Sequence, residues 1–284
     1  MNPRDLLGDP SVSPRFVIFS SYGNDSVALI QWAKEQSLRD VFVVYSDTKW
    51  SASWWQDRVE TMEWWVESLG FHAFRTTSIG FRELAFQKKA FPTQQYQWCS
   101  YILKIEPGQR WLREYDPDCR AICLVGVRRE EGVDRANFPR YLPNSVNHGG
   151  RVMLAPFADY SADERDSLLM RAGVEPLPHR SMECAPCINS NRADIKALSD
   201  EEITAVEHLE QEMHEKFGPT KKGKRRTFFR PHRHMGAVGI REVKKWADAG
   251  RGKYKPDLTI DDSLDDDPPR ELDLYTCQNG FCVS

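Results

Sequence analysis

Short apolar runs ending in turn-forming residues alternate with longer stretches of helical periodicity, and this alternation constrains the chain most. "RFVIFS" (15–20), "DVFVVYSD" (40–47), "FHAFRT" (71–76), "RAICLVGV" (120–127) and "RVMLAPF" (151–157) read as short buried strands. A helix follows the first to about Glu35, and a Trp-rich helix follows the second from about Ser51 to Leu69. The alternation predicts an α/β fold, a five-stranded parallel sheet with helices on both faces. Two later helices carry S-x-x-E capping boxes, Ser161 to Glu164 and Ser199 to Glu202, and are closed by Gly173 and Gly218. Residues 1–180 are expected to form the α/β domain. Residues 181–284 are expected to form a small C-terminal extension, a Cys-containing helical region with an acidic tail.

Charged residues make up 29% of the 284, and hydrophobic ones 40%, as in ordinary globular chains. The net charge of −3 names no partner. Its distribution says more: Lys221 to His234 is strongly basic, and Asp257 to Asp267 strongly acidic. The N-terminal stretch has no apolar core of a signal peptide, and no run approaches the roughly 20 apolar residues of a membrane span. A cytoplasmic protein with no membrane partner is expected. There a disulfide framework is not expected from seven cysteines. Cys119 and Cys123 flank a β-like run and are expected to be buried. Cys99, Cys184, Cys187, Cys277 and Cys282 lie among polar residues and turn formers. The C-x-x-C at Cys184 and Cys187 can present two sulfurs to one metal centre. A zinc knuckle, a redox dithiol, an Fe–S cluster and plain free thiols all remain open.

After the first strand comes "SSYGNDS" (20–26). Unpaired N–H groups at a helix N-terminus, together with the helix dipole, make an anion site. Gly23 is expected to adopt a positive φ and let a ligand approach. Ser21 and Ser26 can donate to phosphate oxygens, and Asp25 can cap the helix. An ordinary N-capped turn is the plain alternative, and no Walker Gly-Lys-Ser/Thr follows. The pattern S-x-G-x-D-S resembles the pyrophosphate-binding PP-loop of the adenine nucleotide α-hydrolase superfamily, with Tyr22 in place of a Gly. Four further stretches extend the likeness, from about Phe16 to Cys187, to the PAPS-reductase-like branch. They are Asp47-Thr48, "WCSYILKIEP" (98–107), "GVRREEGVDR" (126–135) and "LAPFADYSADERDSLLMRAGVEPLPHRSMECAPC" (154–187).

The resemblance implies a Rossmann-like PP-loop fold that binds an adenine nucleotide, ATP with Mg2+, through Ser20, Ser21, Gly23, Asn24, Asp25, Ser26, Asp47, Thr48, Gly126 and Arg128. Asp25, Ser26 and Arg128 are its implied catalytic residues. It also implies a [4Fe-4S] cluster on Cys99, Cys184 and Cys187. Ser100 stands at the fourth position, so either Cys277 or Cys282 folds back as a ligand or one iron stays open. Lys221, Lys222, Lys224, Arg225, Arg226 and Arg230 can pair with nucleic-acid phosphates, and Phe228 and Phe229, if exposed, can stack on bases. His232 and His234 belong to the same basic stretch. The alternative is a solvated loop with both Phe in the core. Trp50, Trp54, Trp55, Trp64 and Trp65 are expected to pack on the sheet or on a second copy in a homodimer.

Three functions fit. The first is an ATP pyrophosphatase that adenylates an acceptor, tRNA or DNA, for iron–sulfur-assisted sulfur transfer from an unidentified donor. The second is a sulfonucleotide reductase that releases sulfite with a tail cysteine as nucleophile. The third is a non-catalytic nucleotide or nucleic-acid binding protein. Asp25-Ser26 favours the first, because reductases often lose that Ser. The tail "CQNGFC" lacks the reductase signature.

Overall fold

The computed structural model describes residues 15–132, 135–229, 238–250 and 253–255. Each expected strand forms: β1 (Phe16–Ser20), β2 (Val41–Asp47), β3 (His72–Thr77), β4 (Ile122–Leu124) and, sixth along the chain, β6 (Arg151–Leu154). These five run parallel in the order β3-β2-β1-β4-β6. The sheet has six strands rather than five, because β5 (Tyr141–Ser145) pairs antiparallel with β6 at one edge. Its sequence, "YLPNS", carries Pro143 and no apolar run, so the pattern of a buried strand is absent. An edge strand tolerates that composition.

Strand β1 is buried along its whole length because both faces of the sheet are covered. Phe16 and Ile18 face one hydrophobic cluster, and the alternating Val17 and Phe19 face another. The first cluster holds α1 (Asn24–Glu35) and α6 (Ala162–Arg171), which pack on each other, and α2 (Trp55–Ser68). The second holds Trp111 and Leu112 of α5 (Glu106–Tyr115). The Trp-rich helix begins at Trp55 rather than Ser51. Trp55 is fully buried, whereas Trp64 is 78% exposed. Helix α3 (Phe81–Lys88) follows β3.

The segment "WCSYILKIEP" is one helical rod: α4 (Trp98–Ser100), a π-turn (Tyr101–Ile105), then α5. Pro107 lacks the N–H that an α-helix would donate back along the chain, and the wide turn ends beside it. Downstream lie α7 (Arg192–Ala197), α8 (Asp200–Phe217) and α9 (Ile240–Asp248). Ser161 and Ser199 form the expected capping boxes. Residues on both sides of position 180, such as Phe157, Leu169, Ile203 and Val206, share one core cluster. Glu210 of α8 is buried, and its carboxylate accepts the Phe228 N–H at 2.7 Å and the Ile240 N–H at 3.1 Å. Burial pushes its carboxyl up to about 7 despite these two bonds.

Cys123 is buried as expected, but Cys119 is exposed, because it sits in a left-handed turn (φ 55°) outside the strand. Among the described residues no helix is long and apolar enough to cross a membrane.

At the far end of the sheet, Arg151 is 2% exposed and pairs with Asp116 at 2.5 Å. Its guanidinium also donates to the carbonyls of Leu112, Asp116, His148 and Gly149. Replacing Arg151 by Ala leaves the buried Asp116 carboxylate without its cation. Urea unfolding of Arg151→Ala is expected to show a loss of about 3–5 kcal/mol.

Candidate functional site

The β1–α1 turn is built by its own hydroxyls. The Tyr22 N–H donates to Ser20 Oγ at 3.0 Å, the Gly23 N–H to Ser21 Oγ at 3.3 Å, and Ser26 Oγ to the Gly23 carbonyl at 3.1 Å. The positive φ falls on Tyr22 (57°), not on Gly23, which is extended (φ −77°, ψ 178°) and serves as N-cap. Asp25 does not cap the helix. It lies in the first turn, 1% exposed, and its carboxylate accepts from Arg128 Nε at 2.7 Å. Tyr22 tolerates the left-handed backbone with its ring fully buried and stacked on Tyr45, the centroids 5.9 Å apart. The first-turn N–H groups of α1 therefore point out past a loop braced from below.

Arg128 leaves the end of β4 and draws three carboxylates together: Asp25, Glu130 and Glu131. Arg165 of α6 reaches Asp25 at 3.7 Å and Asp166 at 2.6 Å, and Arg135 pairs with Glu131. Gly126 makes the crossing of the two loops feasible, since a Cβ there would stand 3.0 Å from the Asp25 carbonyl oxygen. Burial pushes the Asp25 carboxyl up to about 6. Glu131 adds to the rise, and Arg128 and Arg165 oppose it. Asn24 lines the cavity and also clamps a neighbouring loop: it donates to the Leu177 carbonyl and accepts the Leu177 N–H, both at 2.9 Å.

Above this cluster opens a cavity of about 690 Å³. Asn24, Asp25, Arg128 and Arg165 form its floor, and Arg135 and Arg180 its sides. Gln94, Gln97, Asn189 and Asn191 make a second, amide-rich wall. Sequence reasoning missed Arg135, Arg165, Arg180 and Arg58. Arg58 of α2 donates to the Tyr22 carbonyl at 2.9 Å, and its buried Nη2 has no partner among the described residues. Burial holds its pKa below the usual guanidinium range. A cavity with a helix N-terminus and several guanidiniums suits a polyanion such as a nucleotide phosphate chain. The one signal that could have found Arg165 is its place four residues after the Ser161 cap, on the helix turn that faces α1.

The cysteines sit next door, at the end of β2. Thr48 Oγ1 donates to the Glu183 carbonyl at 2.7 Å, and the Cys184 thiol donates to Thr48 Oγ1 at 3.7 Å. Trp50 holds the same loop through its carbonyl, which accepts the Ala185 N–H, and its indole N–H, which donates to the Pro186 carbonyl. Asp47 receives the Lys49 N–H and shapes the turn. Cys99, Cys184 and Cys187 line one narrow cavity of about 20 Å³ with Ser100, Lys104, Trp50, Phe81 and Phe228. Burial drives the Cys99 thiol well up, and Cys187 and Cys184 add to the rise. Burial pushes Cys184 up to about 12, against the pull of Lys104. Lys104 is buried too, yet its ion pair with Glu183 holds it charged. Among the described residues no group of three or more His, Cys, Asp or Glu is already arranged as a metal site. Three thiols lining one cavity are the donor type that soft metals take, but among the described residues they are not gathered into a ligand set.

Phe228 and Phe229 are buried, and Phe228 packs on Trp50 and Phe81, so these rings are core rather than base-stacking surface. Lys221, Lys222 and Arg225 are exposed. Arg226 donates to the carbonyls of Gly218 and Lys89 and so fastens the end of α8 to α3. Cys277, Cys282, Arg230, His232, His234 and the acidic stretch lie outside the described residues.

A sheet whose first strand runs through S-x-G-x-D-S into a helix facing a cationic cavity defines a PP-loop adenine nucleotide α-hydrolase. Within that class the chain belongs to the phosphoadenosine phosphosulfate reductase domain family, whose model matches residues 15–219. An uncharacterized protein of Methanocaldococcus jannaschii is 29% identical over 140 residues, which are 47% of this chain and 28% of that protein. An uncharacterized 37.8 kDa protein of Escherichia phage 186 is 27% identical over 150 residues, 48% of this chain and 44% of that protein. The matches thus span less than half the length of either curated relative. Among solved structures, a phosphoadenylyl-sulfate reductase from Candida auris, in a phosphate complex, aligns with a TM-score of 0.43 at 14% identity, covering 62% of this chain and 82% of its own. A U34-tRNA thiolase from Methanococcus maripaludis with its [4Fe-4S] cluster aligns with a TM-score of 0.47 at 12% identity, covering 100% of this chain and 86% of its own.

The Asp25 environment predicts a pH effect. A carboxyl raised from 3.8 to about 6 in the folded state favours folding most below about pH 4 and loses that advantage as pH rises towards 6. Glu210 adds a parallel loss reaching to about pH 7, so the readout is a difference. Asp25→Asn is expected to flatten the fall in urea midpoint between pH 4 and 6 relative to wild type, while the Glu210 part of the slope remains.

Proposed function

We propose that this protein is a PP-loop ATP pyrophosphatase that adenylates an acceptor for sulfur transfer. The observation that supports this reading is the buried Asp25–Arg128–Arg165 cluster beneath the first turn of α1, at the floor of a cavity large enough for a nucleotide. Adenine nucleotide binding is the shared property of the family. The first-turn N–H groups of α1 and the Ser21 and Ser26 hydroxyls would hold the β- and γ-phosphates of Mg-ATP. An acceptor oxygen attacks the α-phosphorus, the bond from that phosphorus to the bridging oxygen breaks, and pyrophosphate leaves with the electron pair. Arg128 and Arg165 lie where the charge gathering on the leaving phosphates would need to be neutralised.

Cys99, Cys184 and Cys187 are the residues that would hold a [4Fe-4S] cluster, which when bound would present an iron position able to carry sulfide. The chain itself supplies the Thr48 and Trp50 contacts that hold the cysteine loop against the end of β2. Displacement of AMP from the activated acceptor then needs a sulfide or persulfide donor. The exposed Lys221, Lys222 and Arg225 favour a nucleic-acid acceptor, tRNA or DNA. A second reading, a sulfonucleotide reductase, is favoured by the family match itself.

The test is product analysis of anaerobically purified protein with Mg-ATP and, separately, with phosphoadenylyl sulfate plus a dithiol that supplies the two electrons sulfite release needs, each with and without tRNA and DNA. AMP and pyrophosphate that increase with one nucleic acid are the expected outcome. Sulfite from phosphoadenylyl sulfate with ATP untouched makes the protein a reductase instead. Asp25→Ala is expected to lower ATP turnover at least a hundredfold, and unchanged turnover removes this site from the mechanism. Cys184→Ser is expected to lower the iron and acid-labile sulfide of the purified protein while leaving ATP affinity intact.

A further inference from the structure

The rim of the cavity has a composition that nucleotide binding at the turn does not require. Trp54, at the N-cap of α2, is 42% exposed. Its ring meets Trp55 edge-on at 5.3 Å and His179 at 5.7 Å, so its orientation is fixed although one face is open to solvent. Arg58 lies one helical turn further along α2 and donates to the Tyr22 carbonyl, which ties the start of α2 to the β1–α1 turn, while Trp54 meets the cavity through its contact with His179. His179 and Arg180 belong to the loop that Asn24 clamps, and both line the cavity.

Arg180 differs from its neighbours in one respect. Arg128, Arg135 and Arg165 each pair with a carboxylate. The Arg180 guanidinium donates to the Asn189 carbonyl at 2.8 Å and pairs with no carboxylate among the described residues. The nearby Asp194 carboxylate is already held by the N–H groups of Asn191 and Arg180. A guanidinium has five donors, and this one, lining the cavity, spends one on the Asn189 carbonyl. A partly exposed indole packed on His179, whose chain neighbour is a guanidinium without a carboxylate partner among the described residues, is a pairing suited to a single strand: the ring stacks on a base and the guanidinium takes a nearby phosphate.

We infer that Trp54, His179 and Arg180 form the docking rim for an unpaired nucleotide of a nucleic-acid acceptor, delivering it to the nucleotide bound at the β1–α1 turn. This rests on the adenylation reading. It places the acceptor contact nearest the chemistry on the rim rather than on the basic segment, where Phe228 and Phe229 are buried.

The experiment uses the full chain with fluorescently labelled RNA and DNA single strands of one sequence, and the matching duplex, read by anisotropy over a salt series. ATP affinity is measured in parallel on every protein. Trp54→Ala is expected to weaken single-strand binding about tenfold, and Trp54→Phe to restore most of it. Arg180→Gln is expected to weaken binding and reduce the slope against the logarithm of salt by about one, with Arg180→Lys keeping the slope. ATP affinity is expected to stay at the wild-type value in Trp54→Ala and Trp54→Phe, because Trp54 is not among the residues lining the cavity. Preference for RNA or for DNA names the strand, and either supports the inference. Single-strand binding unchanged in Trp54→Ala and Arg180→Gln overturns it, as does equal affinity for the duplex. A wild-type protein that binds ATP but neither strand overturns the rim alone, and one that binds no ATP overturns the adenylation reading with it.

Discussion

The buried pair between Asp25 and Arg128 is the contact on which the site depends. It joins the turn after β1 to the loop after β4, which are neighbouring strands but far apart in sequence. An ion pair at this depth carries a large desolvation penalty, and it persists because Glu130, Glu131 and Arg165 complete the network. Gly126 lets the two loops touch at that point. This network fixes the α1 N-terminus against the lining of the cavity, while the adjacent Asn24 holds the loop at Leu177.

The thiol cavity is organised differently. It is laced to the end of β2 by Thr48 and Trp50, and Lys104, held charged by Glu183, lines it beside the thiols. Phe228 closes its wall. The larger cavity and the thiols both lie at the carboxyl end of one parallel sheet, where an α/β fold leaves its backbone ends open to ligands.

The strands were legible because burial on both faces writes itself into uninterrupted apolar runs such as "FVIFS" and "VFVVYS". Strand β5 was not, since an edge strand with Pro143 needs no such run. The motif in the first turn was readable as a set of residue types, but its geometry was not: the positive φ falls on Tyr22, and the backbone conformation depends on Arg58 and Tyr45 packed beneath it. Asn24 and Asp25 looked like ligand contacts from their place in the motif. Both line the cavity, and the structure also gives Asn24 to Leu177 and Asp25 to Arg128, because burial demands partners for polar groups wherever they are. Arg180 comes from a loop position with no local signature, Arg165 has only its place after the Ser161 cap, and three-dimensional closure brings both to the cavity.

The two bonds accepted by Glu210 have a topological meaning. One carboxylate fastens the backbone at Phe228 and again at Ile240, the first residue of α9. Phe228 is also a wall of the thiol cavity. A single side chain of α8 therefore sets the spacing between that wall and α9, and a change at Glu210 would be felt at both places together.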